Sequence, residues 1–143
     1  SVGGVGQVSQ AGFPSSAGRG RVRRMSRPFP LAFGCMQFGG RADEAASRAM
    51  YDAARAAGVT EFDTAHGYTE GNSERLLGRF AKGDDAVRIA TKVGYEGGSG
   101  RANLSAQFSQ SLQRLGVEKV DLLYLHRFDP DTPLKLPLGK THA

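Results

Sequence analysis

Val120-Asp121-Leu122-Leu123-Tyr124-Leu125-His126 reads as a β-strand that ends on an imidazole. Its centre is a near-continuous apolar run, the pattern of a strand buried on both faces, and such strands belong to parallel sheets wrapped by helices. Two upstream segments have the same form. Val59-Thr60-Glu61-Phe62-Asp63-Thr64 leads into Ala65-His66-Gly67-Tyr68, and Val87-Arg88-Ile89-Ala90-Thr91-Lys92 ends on an amine. Residues 31–36 supply a fourth, N-terminal strand.

Helical patterns separate the strands. Over 42–57, Ala45, Ala46, Ala49, Met50, Ala53 and Ala57 recur at helical spacing, and Gly58 stands where a left-handed C-terminal residue belongs. Ser73 is placed to cap a helix over 74–82 that Gly83 closes. A third helix starts at Asn103 or Ser105, presents Leu104, Phe108, Leu112 and Leu115 as one stripe, and stops at Gly116. The order β-α-β-α-β-α-β predicts an α/β fold with sequential parallel strands and right-handed crossovers. In such barrels the carboxyl ends of the strands share one face, where active sites are built. Asp63, Tyr68, Lys92 and His126 are therefore predicted to converge there. An acid, a phenol, an amine and an imidazole suit proton donation to a carbonyl oxygen, because a phenol beside an ammonium is the stronger acid.

Each residue alone has a plainer reading. A loop tyrosine usually packs, and a histidine ending an apolar strand is usually a satisfied core residue. Lys92 is harder to explain away, since an ammonium at the end of an apolar strand needs an anion nearby. Asp63 supplies one, either as a structural ion pair or as part of a site. His66 is expected to line the mouth, as is the loop over 94–100. No G-x-G-x-x-G element follows a strand, which excludes a Rossmann reading. Three histidines and one cysteine show no metal-site spacing, so no metal is expected.

The longest motif is Phe62-Asp63-Thr64-Ala65-His66-Gly67-Tyr68-Thr69-Glu70-Gly71-Asn72-Ser73-Glu74-Arg75-Leu76-Leu77-Gly78. It resembles the aldo/keto reductase signature, F-D-T-A-x-x-Y-x-x-G-x-S-E-x-x-L-G. Ala90-Thr91-Lys92-Val93-Gly94, Asp121-Leu122-Leu123-Tyr124-Leu125-His126 and Leu31-Ala32-Phe33-Gly34-Cys35-Met36-Gln37-Phe38-Gly39-Gly40 resemble three further strands of that family, in the same order. The resemblance implies a (β/α)₈ TIM barrel and an NADP-dependent oxidoreductase that reduces aldehydes or ketones. It makes Tyr68 the proton donor, Lys92 its helper held by Asp63, and His126 the group directing the substrate carbonyl. It also places Gly34, Cys35, Met36 and Asp63 against the nicotinamide end of NADP(H), although Cys35 has the alternative of a small buried hydrophobe. The rival from another class is a non-enzymatic binding or regulatory half-barrel that associates with another chain.

Length limits the reading. A (β/α)₈ barrel takes about 250 residues, and this chain has 143. The expectation is a partial barrel of about four βα units over 31–134. Of 19 lysines and arginines, five stand within 1–30 without any acid, and the remaining 14 match the 14 acidic residues. Such a basic, Gly- and Ser-rich stretch is expected to be disordered, and upstream sequence ahead of a start at Met25 accounts for it better than targeting does. Neither nucleic-acid nor membrane contact is expected, and one cysteine fits a reducing, cytoplasmic setting. Pro137 and Gly139 oppose the helix that should follow, so 135–143 is expected to be an irregular tail left by truncation or frameshift. A half-barrel of this kind is expected to be inactive by itself and to self-associate through its open sheet edges.

Overall fold

The structure, a computed structural model, describes residues 31–132. The expected basic extension over 1–30 and the expected tail over 135–143 lie outside the described residues. Strands β1 (Ala32–Gly34), β2 (Glu61–Asp63), β3 (Arg88–Val93) and β4 (Leu122–Leu125) form one sheet in the order β1-β2-β3-β4. Every neighbouring pair is parallel, with Phe33 opposite Phe62, Phe62 opposite Ile89 and Lys92 opposite Tyr124. The sequential half-barrel order expected from the sequence is therefore present. Helices α1 (Glu44–Ala56), α2 (Asn72–Ala81) and α3 (Arg101–Leu115) connect the strands. Tyr51, Ala54, Leu76, Leu77 and Leu115 from these helices pack against Phe62 and Ile89, so the core lies on one side of the sheet.

Helix α1 forms where expected but turns a different face inward. Asp43 caps it, accepting from Ala46 N–H at 2.8 Å, and Gly58 ends it at φ +86°. Its buried residues are Ser47, Tyr51 and Ala54, whereas Ala45, Ala46, Ala49, Met50, Ala53 and Ala57 are exposed. The Tyr51 ring lies 4.8 Å from that of Phe62 and 5.7 Å from that of Phe80. Burying that one ring removes far more apolar area than any alanine could. Ser47 tolerates burial because its hydroxyl donates to Ala42 O at 3.0 Å. The alanines contribute helix propensity instead of core.

Helix α2 also corrects an expectation, because Ser73 is not its cap. Gly71, at φ +84°, precedes the helix, and Thr69 Oγ1 accepts from Ser73 N–H at 2.9 Å. The Ser73 hydroxyl is buried, donating to Cys35 O at 2.8 Å and lying 2.7 Å from Thr64 Oγ1. It ties α2 to the ends of two strands. Gly78 brings α2 against the end of α3 so closely that a Cβ there would sit 2.1 Å from Leu115 O. Helix α3 starts at Arg101, before either predicted start, and stops at Gly116 with φ +67°. Of its expected stripe Leu115 is buried, while Leu104, Phe108 and Leu112 are half-buried.

Strand β4 departs most from its sequence pattern. Leu122, Leu123, Tyr124 and Leu125 are 40–47% exposed, not buried on both faces. Among the described residues no strand pairs with the outer edge of β4, and little covers the face opposite the helices.

Candidate active site

Side chains alternate along a strand, so each strand divides its residues between two faces. On β3, Ile89, Thr91 and Val93 point into the helix-covered core, which leaves Ala90 and Lys92 on the other face. Parallel register extends that division across the sheet. The uncovered face forms a concavity of about 710 Å³ whose lining includes Gly34, Asp63, Lys92, Tyr124 and His126. Asp63 ends β2, Lys92 stands near the end of β3, and His126 follows β4 with its N–H on Val93 O at 2.8 Å.

The four predicted residues come together. Lys92 Nζ donates to Asp63 Oδ2 at 2.5 Å and to Thr64 O at 2.8 Å. The same ammonium lies 4.9 Å from the centre of the Tyr68 ring. That ring meets the His126 imidazole edge-on, with centroids 5.6 Å apart and an angle of 90°. Tyr95 packs on the imidazole from another side, its centroid 4.9 Å away. Desolvation, and then the charge of Lys92, lower the His126 pKa against the opposing pull of Asp63. The imidazole is therefore held toward its neutral form. Its Nδ1 is buried with no partner among the described residues.

The other predicted residues divide between the core, the surface and the concavity. The Cys35 side chain is fully buried in the core, and burial, helped by Asp63 and opposed by Lys92, pushes its thiol up to about 12. Its N–H donates to Asp63 O and its carbonyl accepts from Ser73, so neither backbone group remains for a ligand. Of its two open readings, the small buried hydrophobe describes its place. Met36 is exposed beside it, and Gly34 lines the concavity. His66 does not line the mouth: Nε2 lies 2.7 Å from Gln110 Oε1 of α3, which draws the ring to the helix layer. The loop over 94–100 is held by Asn103 and Gln107, which donate to Glu96 O and Gly98 O, and by Asp129, which accepts from Ser99 N–H at 2.7 Å.

Sequence reasoning missed the groups behind the site. Glu74 is fully buried on α2, where it accepts from Thr91 Oγ1 at 2.7 Å and pairs with Arg114 of α3 at 3.4 Å. Arg114 also donates to His66 O at 2.8 Å. Nothing in the linear sequence announces that contact; in the fold, a Cβ at Gly71 would meet the Arg114 guanidinium at 2.4 Å. Among the described residues no group of His, Cys, Asp or Glu could hold a metal, and no helix is long and apolar enough to cross a membrane.

Known proteins resemble this chain in sequence and fold. The family model for the aldo/keto reductase family matches residues 30–139. The chain is 38% identical over 141 residues to mouse aflatoxin B1 aldehyde reductase member 2, covering 86% of this chain and 38% of that protein. It is 42% identical over 96 residues to an aldo-keto reductase of Strobilurus tenacellus, covering 63% of this chain and 28% of that one. An aldo-keto reductase from Bacillus halodurans in its holo form superposes with a TM-score of 0.64 at 33% identity, over 73% of this chain and 38% of that one. One from Klebsiella pneumoniae in complex with NADPH gives 0.65 at 28% identity, over 73% and 37%. The chain thus spans less than two fifths of each of these proteins, and it belongs to the aldo/keto reductase family.

Proposed function

We propose that this chain carries the proton-donating corner of an NADP(H)-dependent reductase of small aldehydes or ketones. The observation that supports this most is the Lys92–Asp63 pair lying against the Tyr68 ring, with the His126 imidazole edge-on to the same ring. Lys92 is fixed by two acceptors, so its charge stays beside the phenol. Tyr68 gives its hydroxyl proton to the carbonyl oxygen: the phenolic O–H breaks, an alcohol O–H forms, and the phenolate regains a proton from water. His126, held toward neutrality, directs the substrate by hydrogen bonding and not by charge.

The described residues suit one end of the cofactor. Gly34 has open space where a Cβ would stand, and Asp63 engages Oδ2 with Lys92, which leaves Oδ1 for a ribose hydroxyl. Gly34, Met36 and Asp63 would hold the nicotinamide end, with Cys35 as packing beneath them. When bound, the reduced nicotinamide supplies the hydride that the carbonyl carbon receives. Among the residues lining the concavity, Lys92 is the one ammonium or guanidinium, and it is already paired. The diphosphate end is therefore assigned to groups outside 31–132, and residues 31–132 alone are inactive in this reading. A buried thiol suits the cytoplasmic setting proposed here.

The test is Tyr68→Phe in a full-length barrel carrying residues 31–134. Carbonyl reduction should fall by about 10² to 10⁴, the usual worth of a general acid, while NADPH binding measured by fluorescence stays the same. Undiminished turnover would remove Tyr68 from this role.

A further inference from the structure

We propose that Arg114, paired with the buried Glu74, is a positioning residue that holds a strained turn and thereby sets the place of the Tyr68 phenol. The inference rests on the reading of Tyr68 as proton donor. Tyr68 opens a turn over Tyr68–Gly71 in which three successive residues are left-handed: Thr69 at φ +49°, Glu70 at +57° and Gly71 at +84°. Only the glycine adopts that conformation without penalty. A threonine and a glutamate held there store strain, and they persist only where the surroundings over-determine them.

The surroundings that do so are specific. On the N-terminal side of the turn, Arg114 Nη1 donates to the carbonyl of His66, two residues before Tyr68, at 2.8 Å. The same atom reaches Glu74 Oε2 at 3.4 Å on the first turn of α2, just after the strained residues. One guanidinium therefore grips both flanks of the turn. Glu74 is itself fixed by Thr91 Oγ1, the neighbour of Lys92 on β3. A chain of contacts thus runs from the strand carrying the amine to the turn carrying the phenol. Within the turn, Thr69 Oγ1 donates to Phe38 O at 2.8 Å. Gly71 is required twice over, once for its φ and once because a side chain there would collide with the guanidinium. A buried ion pair is a poor source of net stability, and its better-attested use is to fix one arrangement against others.

The test is hydrogen exchange read peptide by peptide in the full 143-residue chain, which tolerates self-association. The double variant Glu74→Gln/Arg114→Met removes both charges and leaves neither orphaned in the core. Exchange over 66–73 should rise on the order of tenfold, while α1 peptides stay unchanged. Adding Glu70→Gly, which relieves the left-handed strain, should reverse part of that rise. No rise over 66–73 would overturn the proposal. So would an equal rise in α1, which would make the pair a general tie, or a rise that Glu70→Gly leaves untouched. Tyr68→Phe turnover decides the proton-donor role separately: if exchange behaves as expected and that variant keeps its rate, the clamp stands and the donor reading falls.

Discussion

On the helix-covered face of the sheet, Phe62, Ile89, Thr91 and Val93 are buried, and close behind them lie the paired charges of Glu74 and Arg114. On the opposite face Asp63 and Lys92 keep 28% and 18% of their side chains exposed, and the β4 strand beside them is nearly half-open along its length. The same four strands supply both faces, so alternation alone separates a stabilising surface from a chemical one. The covered face can hold the fold with aromatic packing. That leaves the other face able to keep an ion pair, an imidazole and a phenol together, where apolar packing would be worth more to stability.

Substitutions on each face should behave differently. The largest effect is expected from Phe62→Ala on the covered face, which should lower unfolding free energy by about 3–5 kcal/mol, read as the urea midpoint. A loss below about 1 kcal/mol would mean the aromatic cluster is not the main support. Next comes Asp63→Asn on the open face. It strands a partly buried ammonium and should cost about 1–3 kcal/mol, less than a fully buried pair because both partners see solvent. An unchanged midpoint would mean that Lys92 finds another anion.

Leu122→Lys/Tyr124→Lys should change stability by about 1 kcal/mol at most but shift sedimentation toward monomer, because the bare apolar edge is what we expect to drive association. Continued oligomers would locate the contact elsewhere. The smallest effect concerns pH. The folded state lowers the His126 pKa, so the unfolded chain binds more protons once pH falls below about 6.5. Stability should then decline as pH drops through that window and be fully present above it. Comparing urea midpoints at about pH 5.5 and about pH 7.5, His126→Gln should show a shallower decline than the parent. An equal decline would assign the effect to other groups.

The strands and their order were legible because the strands leave short apolar runs between helical patterns, and Gly58 and Gly116 marked two helix ends where only a left-handed residue fits. The four converging residues were legible because each closes or follows such a run. What escaped were faces and partners. Alanine is so common in α1 that its spacing carried no information, and the inward residues, Ser47 and Tyr51, wear polar atoms that disguise burial. Glu74 and Arg114 read as surface charges in a linear sequence, since nothing local shows that a glutamate on one helix meets an arginine forty positions on. The neighbours of His66 in sequence place it at the mouth, but Gln110, equally remote in sequence, decides where its ring lies.

At Gly78 the two helices meet backbone to backbone, and that contact has a consequence for how the chain can vary. A side-chain contact can be retuned by a new rotamer, whereas a carbonyl 2.1 Å from a would-be methyl has no such latitude. The spacing of α2 and α3 is thus a fixed gauge rather than an adjustable fit. Arg114 precedes the Leu115 carbonyl that touches this glycine, and α2 begins where the Tyr68 turn ends. A single carbon added at position 78 would therefore register as a displacement of the phenol, ten residues earlier at the head of that turn.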